Sequence, residues 1–103
     1  MELEKHSYEV ILAFNGEEAL DKLKENPDLI LLDIIMPKLN GFETYDKILE
    51  DEKHKSTPVI FLTNLDAATD KKRAFNQGAV DYFVKSNTDL DYLIEKIKTH
   101  LEE

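Results

Sequence analysis

The chain has 103 residues, enough for one domain with a single hydrophobic core. Its formal net charge of −9, from 13 basic and 22 acidic residues, is unfavourable for binding the phosphates of nucleic acids. The absence of cysteine excludes disulfides, thiolate metal sites and cysteine nucleophiles. No apolar run is long enough to span a bilayer. We therefore expect a cytoplasmic protein that binds neither nucleic acid nor membrane.

Predicted strands alternate with predicted helices along the chain. Apolar, β-branched and aromatic runs predict strands over Tyr8–Phe14, Leu29–Ile34, Val59–Leu62 and Val80–Val84. Helical spacing predicts helices over Glu17–Glu25 with Asn15 as N-cap, around Phe42–Leu49, over Ala67–Gln77 and over Leu90–Leu101. This order predicts one α/β domain, residues 1–103, with an open parallel sheet and helices on both faces. Met1–His6 is expected to be the last turn of a preceding helix or a disordered lead-in.

Three of the predicted strands end in a side chain suited to phosphate chemistry. These residues are Asp33, Thr63 and Lys85. Because the carboxyl ends of parallel strands meet at one edge of a sheet, we expect the three side chains to converge. The carboxylate could attack phosphorus to form an acyl phosphate, while the hydroxyl and the ammonium group hold the phosphoryl oxygens. Each residue alone is weak evidence, since a threonine that ends a strand is usually a turn or cap residue.

The segments around these residues resemble response-regulator receiver domains of two-component signalling. The resemblance rests on Leu31–Pro37 with Gly41, on Ile60–Thr63 and on Gly78–Lys85. The spacing also agrees, with 30 positions from 33 to 63 and 22 positions from 63 to 85. The resemblance covers nearly the whole chain and implies a flavodoxin-like fold.

The resemblance implies a phosphoacceptor domain of a phosphorelay. Asp33 would take a phosphoryl group from a histidine kinase or a phosphotransfer protein. Thr63 would be the switch hydroxyl, and Lys85 would bind the phosphoryl group. Tyr82 would be the aromatic residue whose rotamer follows the state of the domain. The switched surface would then bind a downstream protein target.

The expected Mg²⁺ site is incomplete. Receivers begin with a strand that carries an acidic pair beside the acceptor, and by the family's register this strand and its helix would precede this chain. Glu2 and Glu4 do not qualify, since neither follows an apolar strand. Asp33 and the backbone carbonyl of Ile35 remain as metal ligands, while the amide of Asn64 would contact the phosphoryl group. We therefore expect weak or absent Mg²⁺ binding and poor phosphoryl uptake.

Two further departures from the family pattern concern the sheet and the Lys85 loop. In the flavodoxin-like order 2-1-3-4-5 the absent strand would be central. Either Tyr8–Phe14 pairs directly with Leu29–Ile34, or two chains associate as a homodimer through their open edges. We favour association, since open apolar edges pair with other chains. Ser86 follows Lys85 where receivers usually have proline, which predicts a trans peptide bond and a less firmly placed Lys85.

Other functions fit the residues less well. A hydrolase of the haloacid dehalogenase type needs a second aspartate two positions after the first, and Ile35 stands there. A flavodoxin needs a phosphate-binding loop after its first strand, which this sequence lacks. His6, His54 and His100 show no metal-ligand spacing and are expected at the surface. The alternative that remains open is a truncated or pseudo-receiver that acts as a binding or dimerisation module.

Overall fold

Four parallel strands alternate with four α-helices in residues 8–13 and 15–102, the part of the chain that the computed structural model describes. The strands are β1 (Val10–Ala13), β2 (Leu29–Leu32), β3 (Val59–Thr63) and β4 (Asp81–Val84). The helices are α1 (Gly16–Lys22), α2 (Gly41–Glu50), α3 (Ala68–Gln77) and α4 (Leu90–Glu102). Every predicted element is present, with shifted boundaries. The lead-in at 1–6 and Phe14 at the predicted end of the first strand lie outside the described residues.

The strands lie in chain order, β1-β2-β3-β4. Of the two arrangements considered for the first strand, direct pairing is found: Val10 lies beside Leu29. The start of this pairing is fixed by Glu9 and Asp28. The amide of Glu9 donates to the Asp28 carboxylate (2.8 Å), and the carbonyl of Glu9 accepts from the Asp28 amide (2.7 Å). Association between two chains stays a prediction.

Helices cover both faces of the sheet, which confirms the predicted fold class. Helices α1, α2 and α3 pack on one face, and α4 packs on the other. All four residues of β2 are buried, as expected for a parallel strand covered on both sides. The first face buries Ile30, Leu32 and Phe61 against the three helices, and the second buries Leu29, Leu31 and Ile60 against α4.

Asparagine side chains begin two of the helices. The side-chain oxygen of Asn15 accepts the amide of Glu18 at 2.8 Å, as predicted for an N-cap. Asn40 and Glu43 form a reciprocal capping box at the start of α2, with bonds of 2.9 and 3.0 Å. The second cap fixes where α2 begins relative to the loop that follows β2.

The histidines are less exposed than the sequence suggested. His54 is buried at 7% exposure, so its surface prediction is wrong. Its loop packs against the turn that precedes β2, where Nε2 lies 3.4 Å from the side-chain oxygen of Asn26. His100 is half-buried, and its Nε2 lies 2.8 Å from Asp81 Oδ2. His6 lies outside the described residues.

Gly41 allows α2 to begin directly against the Asp33 segment. A Cβ atom at this position would meet the carbonyl oxygen of Asp33 and would lie 2.9 Å from the Cα of Ile34. Both obstacles are backbone atoms, so a side chain cannot be accommodated by a rotamer change.

We expect Gly41→Ala to lower the free energy of unfolding by about 1–3 kcal/mol, the usual cost of forcing extra atoms into a packed site. Urea unfolding followed by circular dichroism would measure the change. Lys47→Ala, on the exposed side of the same helix, is the control. Equal urea midpoints for the two variants would show that the backbone of Asp33 and Ile34 leaves room for a side chain at position 41.

Candidate functional site

Asp33 lies directly after β2, at the carboxyl edge of the sheet. Its side chain is 22% exposed. Oδ1 accepts the amide of Ile35 at 3.2 Å, and Oδ2 accepts Lys85 Nζ at 2.8 Å. The carboxylate is therefore held by a local turn on one side and by a cation on the other.

Thr63 and Lys85 come to the same edge from the two strands beyond. Thr63 ends β3 and is fully buried. Lys85 directly follows β4, and the bond to Ser86 is trans, as predicted. Lys85 still reaches Asp33 across β3. The structure thus brings together the three side chains that the sequence singled out, and Asn64 follows Thr63 at the exposed rim.

The surroundings of Asp33 favour its ionised form. Burial alone would raise the pKa of this carboxyl, and it is the largest single influence. The hydrogen bonds from Lys85 and the amide of Ile35, together with the nearby Thr63 hydroxyl, outweigh it, so the pKa of Asp33 lies below its ordinary value. At neutral pH the side chain is a carboxylate, the form that acts as a nucleophile.

Tyr82 and Thr63 are connected through one peptide segment. Tyr82 is 8% exposed, and its hydroxyl donates to the carbonyl of Leu65 at 2.7 Å. The amide of Leu65 donates to Thr63 Oγ1 at 3.4 Å. Burial raises the pKa of Tyr82, and nearby carboxylates, Asp70 first, add to the rise. This connection could not be predicted from the sequence, because Leu65 contributes only backbone atoms to it.

A cavity of about 290 Å³ opens beside Asp33. Its lining consists of Leu12, Ala13, Asp33, Ile35, Met36, Leu62 and Lys85. Apart from one carboxylate and one ammonium group, these side chains are apolar. The sequence analysis did not predict that Leu12 and Ala13 of β1 would line this cavity. Direct pairing of β1 with β2 would have indicated it, since Ala13 lies beside Leu32, one residue before Asp33.

These residues do not fit a Mg²⁺ ion. Magnesium takes a near-octahedral shell of oxygen ligands. Among the described residues there is no group of three or more acidic or histidine side chains that could hold a metal. Both oxygens of Asp33 already accept hydrogen bonds, and Ile35, the other expected ligand, turns its amide to that carboxylate. Apart from Asp33 and Lys85, the side chains that line the cavity present only carbon and sulfur atoms.

A sequence model of the response regulator receiver domain matches residues 1–98. The chain belongs to this family. Receiver domains are phosphoacceptor modules of two-component signalling rather than classical enzymes, which agrees with the function expected from the resemblance. No helix in residues 8–13 and 15–102 is both long enough and apolar enough to cross a membrane.

Similar proteins include both short and long regulators. The chain is 42% identical to the protein PilH of Pseudomonas aeruginosa over 84 residues, which are 81% of this chain and 69% of PilH. It is 46% identical to the transcriptional regulatory protein CrdR of Helicobacter pylori over 97 residues, 93% of this chain and 45% of CrdR. The chain therefore spans less than half of the longer relative.

Solved receivers have the same fold. The BeF₃-activated receiver domain of RstA from Klebsiella pneumoniae superposes with a TM-score of 0.81 at 29% identity, covering 99% of this chain and 85% of that one. The non-phosphorylated HemR receiver from Leptospira biflexa gives 0.83 at 29% identity, covering 99% and 81%. An activated and a non-phosphorylated domain match equally well, so the fold as a whole does not distinguish the two states.

We expect Lys85→Met to raise the pKa of Asp33, because the burial that remains favours the neutral acid. Because the pKa of Asp33 is lower in the folded protein than in the unfolded chain, its carboxylate stabilises the wild type at pH values above the pKa that Asp33 has when unfolded. This stabilisation is lost as the pH falls through the pKa that Asp33 has in the folded protein. The variant should lose that pH-dependent contribution. Carboxyl ¹³C shifts of Asp33 against pH measure the change.

The control is Lys38→Met, which removes the Lys38–Glu17 ion pair on the surface. It should leave the titration of Asp33 unchanged. An unshifted midpoint in Lys85→Met would mean that the ammonium group does not act on the carboxylate in solution.

Proposed function

We propose that Asp33 accepts a phosphoryl group from a phosphohistidine of a histidine kinase or phosphotransfer protein in the cytoplasm. The observation that carries the proposal is an ionised carboxylate at the sheet edge with the Lys85 ammonium group at 2.8 Å and the Thr63 hydroxyl beside it. A carboxylate oxygen forms the new bond to phosphorus. The bond to the imidazole nitrogen breaks, and its electron pair stays on that nitrogen.

Lys85 and Thr63 then contact the transferred group. Asp33 and Lys85 both line the cavity, so the ammonium group that donates to Asp33 Oδ2 can donate to a phosphoryl oxygen bound there. The Thr63 hydroxyl and the amide of Asn64 supply hydrogen-bond donors for the other oxygens. Such donors act most strongly where water is excluded, as it is around the fully buried Thr63.

Metal assistance is weaker here than is usual in the family. Receiver domains generally bind Mg²⁺ for phosphorylation. Asp33 and the Ile35 carbonyl would be the ligands that this chain offers. An ion held by them would supply positive charge to the phosphoryl oxygens. With one carboxylate in the cavity lining, we expect low metal affinity and slow phosphoryl uptake.

Asp33→Asn should abolish phosphoryl uptake, since an amide is not a nucleophile for this reaction. Intact mass spectrometry after incubation with phosphoramidate, and with a phosphorylated histidine phosphotransfer domain, measures uptake. Hydroxylamine should remove the group from the wild type, because acyl phosphates react with it.

Asp21→Asn, an exposed position on α1, is the matched control and should behave like the wild type. A phosphorylated Asp33→Asn variant, or a wild type that takes no phosphoryl group from either donor, would disprove the proposal.

The hydrogen bonds from the Leu65 backbone to Thr63 and Tyr82 offer a route by which phosphorylation could change the surface. Movement of Thr63 towards a phosphoryl oxygen would pull the amide of Leu65, whose carbonyl holds the Tyr82 hydroxyl. Tyr82 lies on β4, next to α3. We propose that the surface formed by α3 and β4 changes in this way and binds a downstream protein target.

Tyr82→Phe tests this route. The variant should lose about 1 kcal/mol of stability, the typical contribution of one hydrogen bond. Its Leu65 amide should respond less to beryllofluoride than that of the wild type in ¹H–¹⁵N spectra. Tyr92→Phe is the control, because Tyr92 is an exposed tyrosine of α4. Equal responses in both variants would exclude the phenol from the route.

Self-association is a second candidate, supported by the outer edge of β1. The carbonyl of Glu9 faces β2, so by strand alternation the backbone groups of Val10 and Leu12 face the other way. In the described part of the chain the Leu12 carbonyl accepts Lys22 Nζ at 3.4 Å on that edge. Such an edge could pair with a second copy and make the chain a binding or dimerisation module.

A further inference from the structure

Leu12 lies on the same side of the sheet as Asp33. It is the register partner of Leu31, and partnered residues of neighbouring strands point to the same face. Leu31 and Asp33 are two positions apart along β2 and its end, so they share that face. Leu12 and Asp33 also line the same cavity. The residue at position 12 therefore sets the chemistry of the wall that β1 presents to Asp33.

The apolar part of the cavity lining is unsuited to a divalent cation. Leu12 and Leu62 present only carbon atoms, and the sulfur of Met36 is a soft donor that magnesium does not favour. A cation beside Asp33 would have to share the carboxylate oxygens with the hydrogen bonds from Lys85 and the Ile35 amide. The carboxylate would then be the cation's single charged ligand among the lining residues.

We propose that Leu12 withholds divalent cations from the Asp33 cavity, so that Lys85 is the one cation, among the described residues that line the cavity, which balances the charge of the phosphoryl group. The role of Lys85 in this proposal rests on the proposed function of Asp33. The role of Leu12 concerns metal affinity and can be measured without phosphorylation. A carboxylate at position 12 would lie on the face of Asp33 and would supply the missing charge.

The direct test is titration of Mg²⁺ and Mn²⁺ into the full chain. Calorimetry measures Mg²⁺ affinity, and broadening of the Ile35 and Asn64 amide signals by Mn²⁺ locates the ion. We expect Leu12→Asp to tighten binding roughly tenfold or more over the wild type, because affinity for hard cations rises with the number of charged oxygen ligands. Leu12→Asn should not tighten binding, because asparagine has a shape similar to that of aspartate but carries no charge.

A charge control comes from Val80→Asp. Val80 and Leu12 are almost equally exposed, at 38% and 39%, but Val80 precedes β4 at the opposite edge of the sheet. If Leu12→Asp does not fold, Ile35→Asp places a carboxylate on the exposed wall of the same cavity and should also tighten binding. Circular dichroism melts establish that each variant is folded.

Two outcomes would overturn the proposal. One is saturation of the wild type below about 1 mM Mg²⁺, which would mean that carboxylates outside the described residues complete the site. The other is a folded Leu12→Asp variant whose affinity equals that of Val80→Asp.

A second measurement separates this proposal from the proposed function. Phosphoryl uptake from phosphoramidate should be unaffected by EDTA in the wild type and accelerated by Mg²⁺ in Leu12→Asp. Uptake in the wild type that stops with EDTA would contradict the role given to Lys85. If the wild type takes up no phosphoryl group at all, the function proposed for Asp33 fails, and the metal titration still decides the role of Leu12.

Discussion

The ion pair between Asp33 and Lys85 joins the ends of two strands that are not neighbours. Strand β3 lies between them and ends in the buried Thr63, so the pair forms only when all three strands are in register. The site is therefore a product of the parallel sheet rather than of any single loop. Its lysine, with Thr63 and the amide of Ile35, outweighs the effect of burial and lowers the pKa of Asp33, which favours the ionised form that acts as a nucleophile.

Much of this arrangement could be predicted from the sequence. The unbroken apolar run at Leu29–Leu32 indicated a strand covered on both faces, and the residues after the strands indicated the site. The position of β1 was harder to predict, since alternation and composition do not identify a neighbour. The hydrogen bonds between Glu9 and Asp28 at the start of this pairing involve a carboxylate in a loop. Such a carboxylate leaves no periodic pattern in the sequence from which the pairing could be predicted. His54 was misjudged for a related reason, because a polar loop can still bury one residue.

The placement of β1 changes the chemistry of the site as well as the sheet order. Leu12 and Ala13 of β1 form an apolar wall at a place where the positive charge of a bound cation would help a phosphoryl group to bind. Among the described residues, the site thus contains an acceptor carboxylate, a cation and a hydroxyl group, and no cluster of side chains that could hold a metal. The TM-scores of 0.81 and 0.83 do not reflect the chemistry of this wall, because they compare backbone positions and not side chains.

The bonds of Leu65 to Thr63 and Tyr82 are made by its peptide groups alone. Exchanging the residue at this position would leave both partners in place. An insertion or deletion between Thr63 and Leu65 would separate these two residues, however conservative its composition. For these two hydrogen bonds, the length of the segment is thus a tighter constraint than the side chain at position 65.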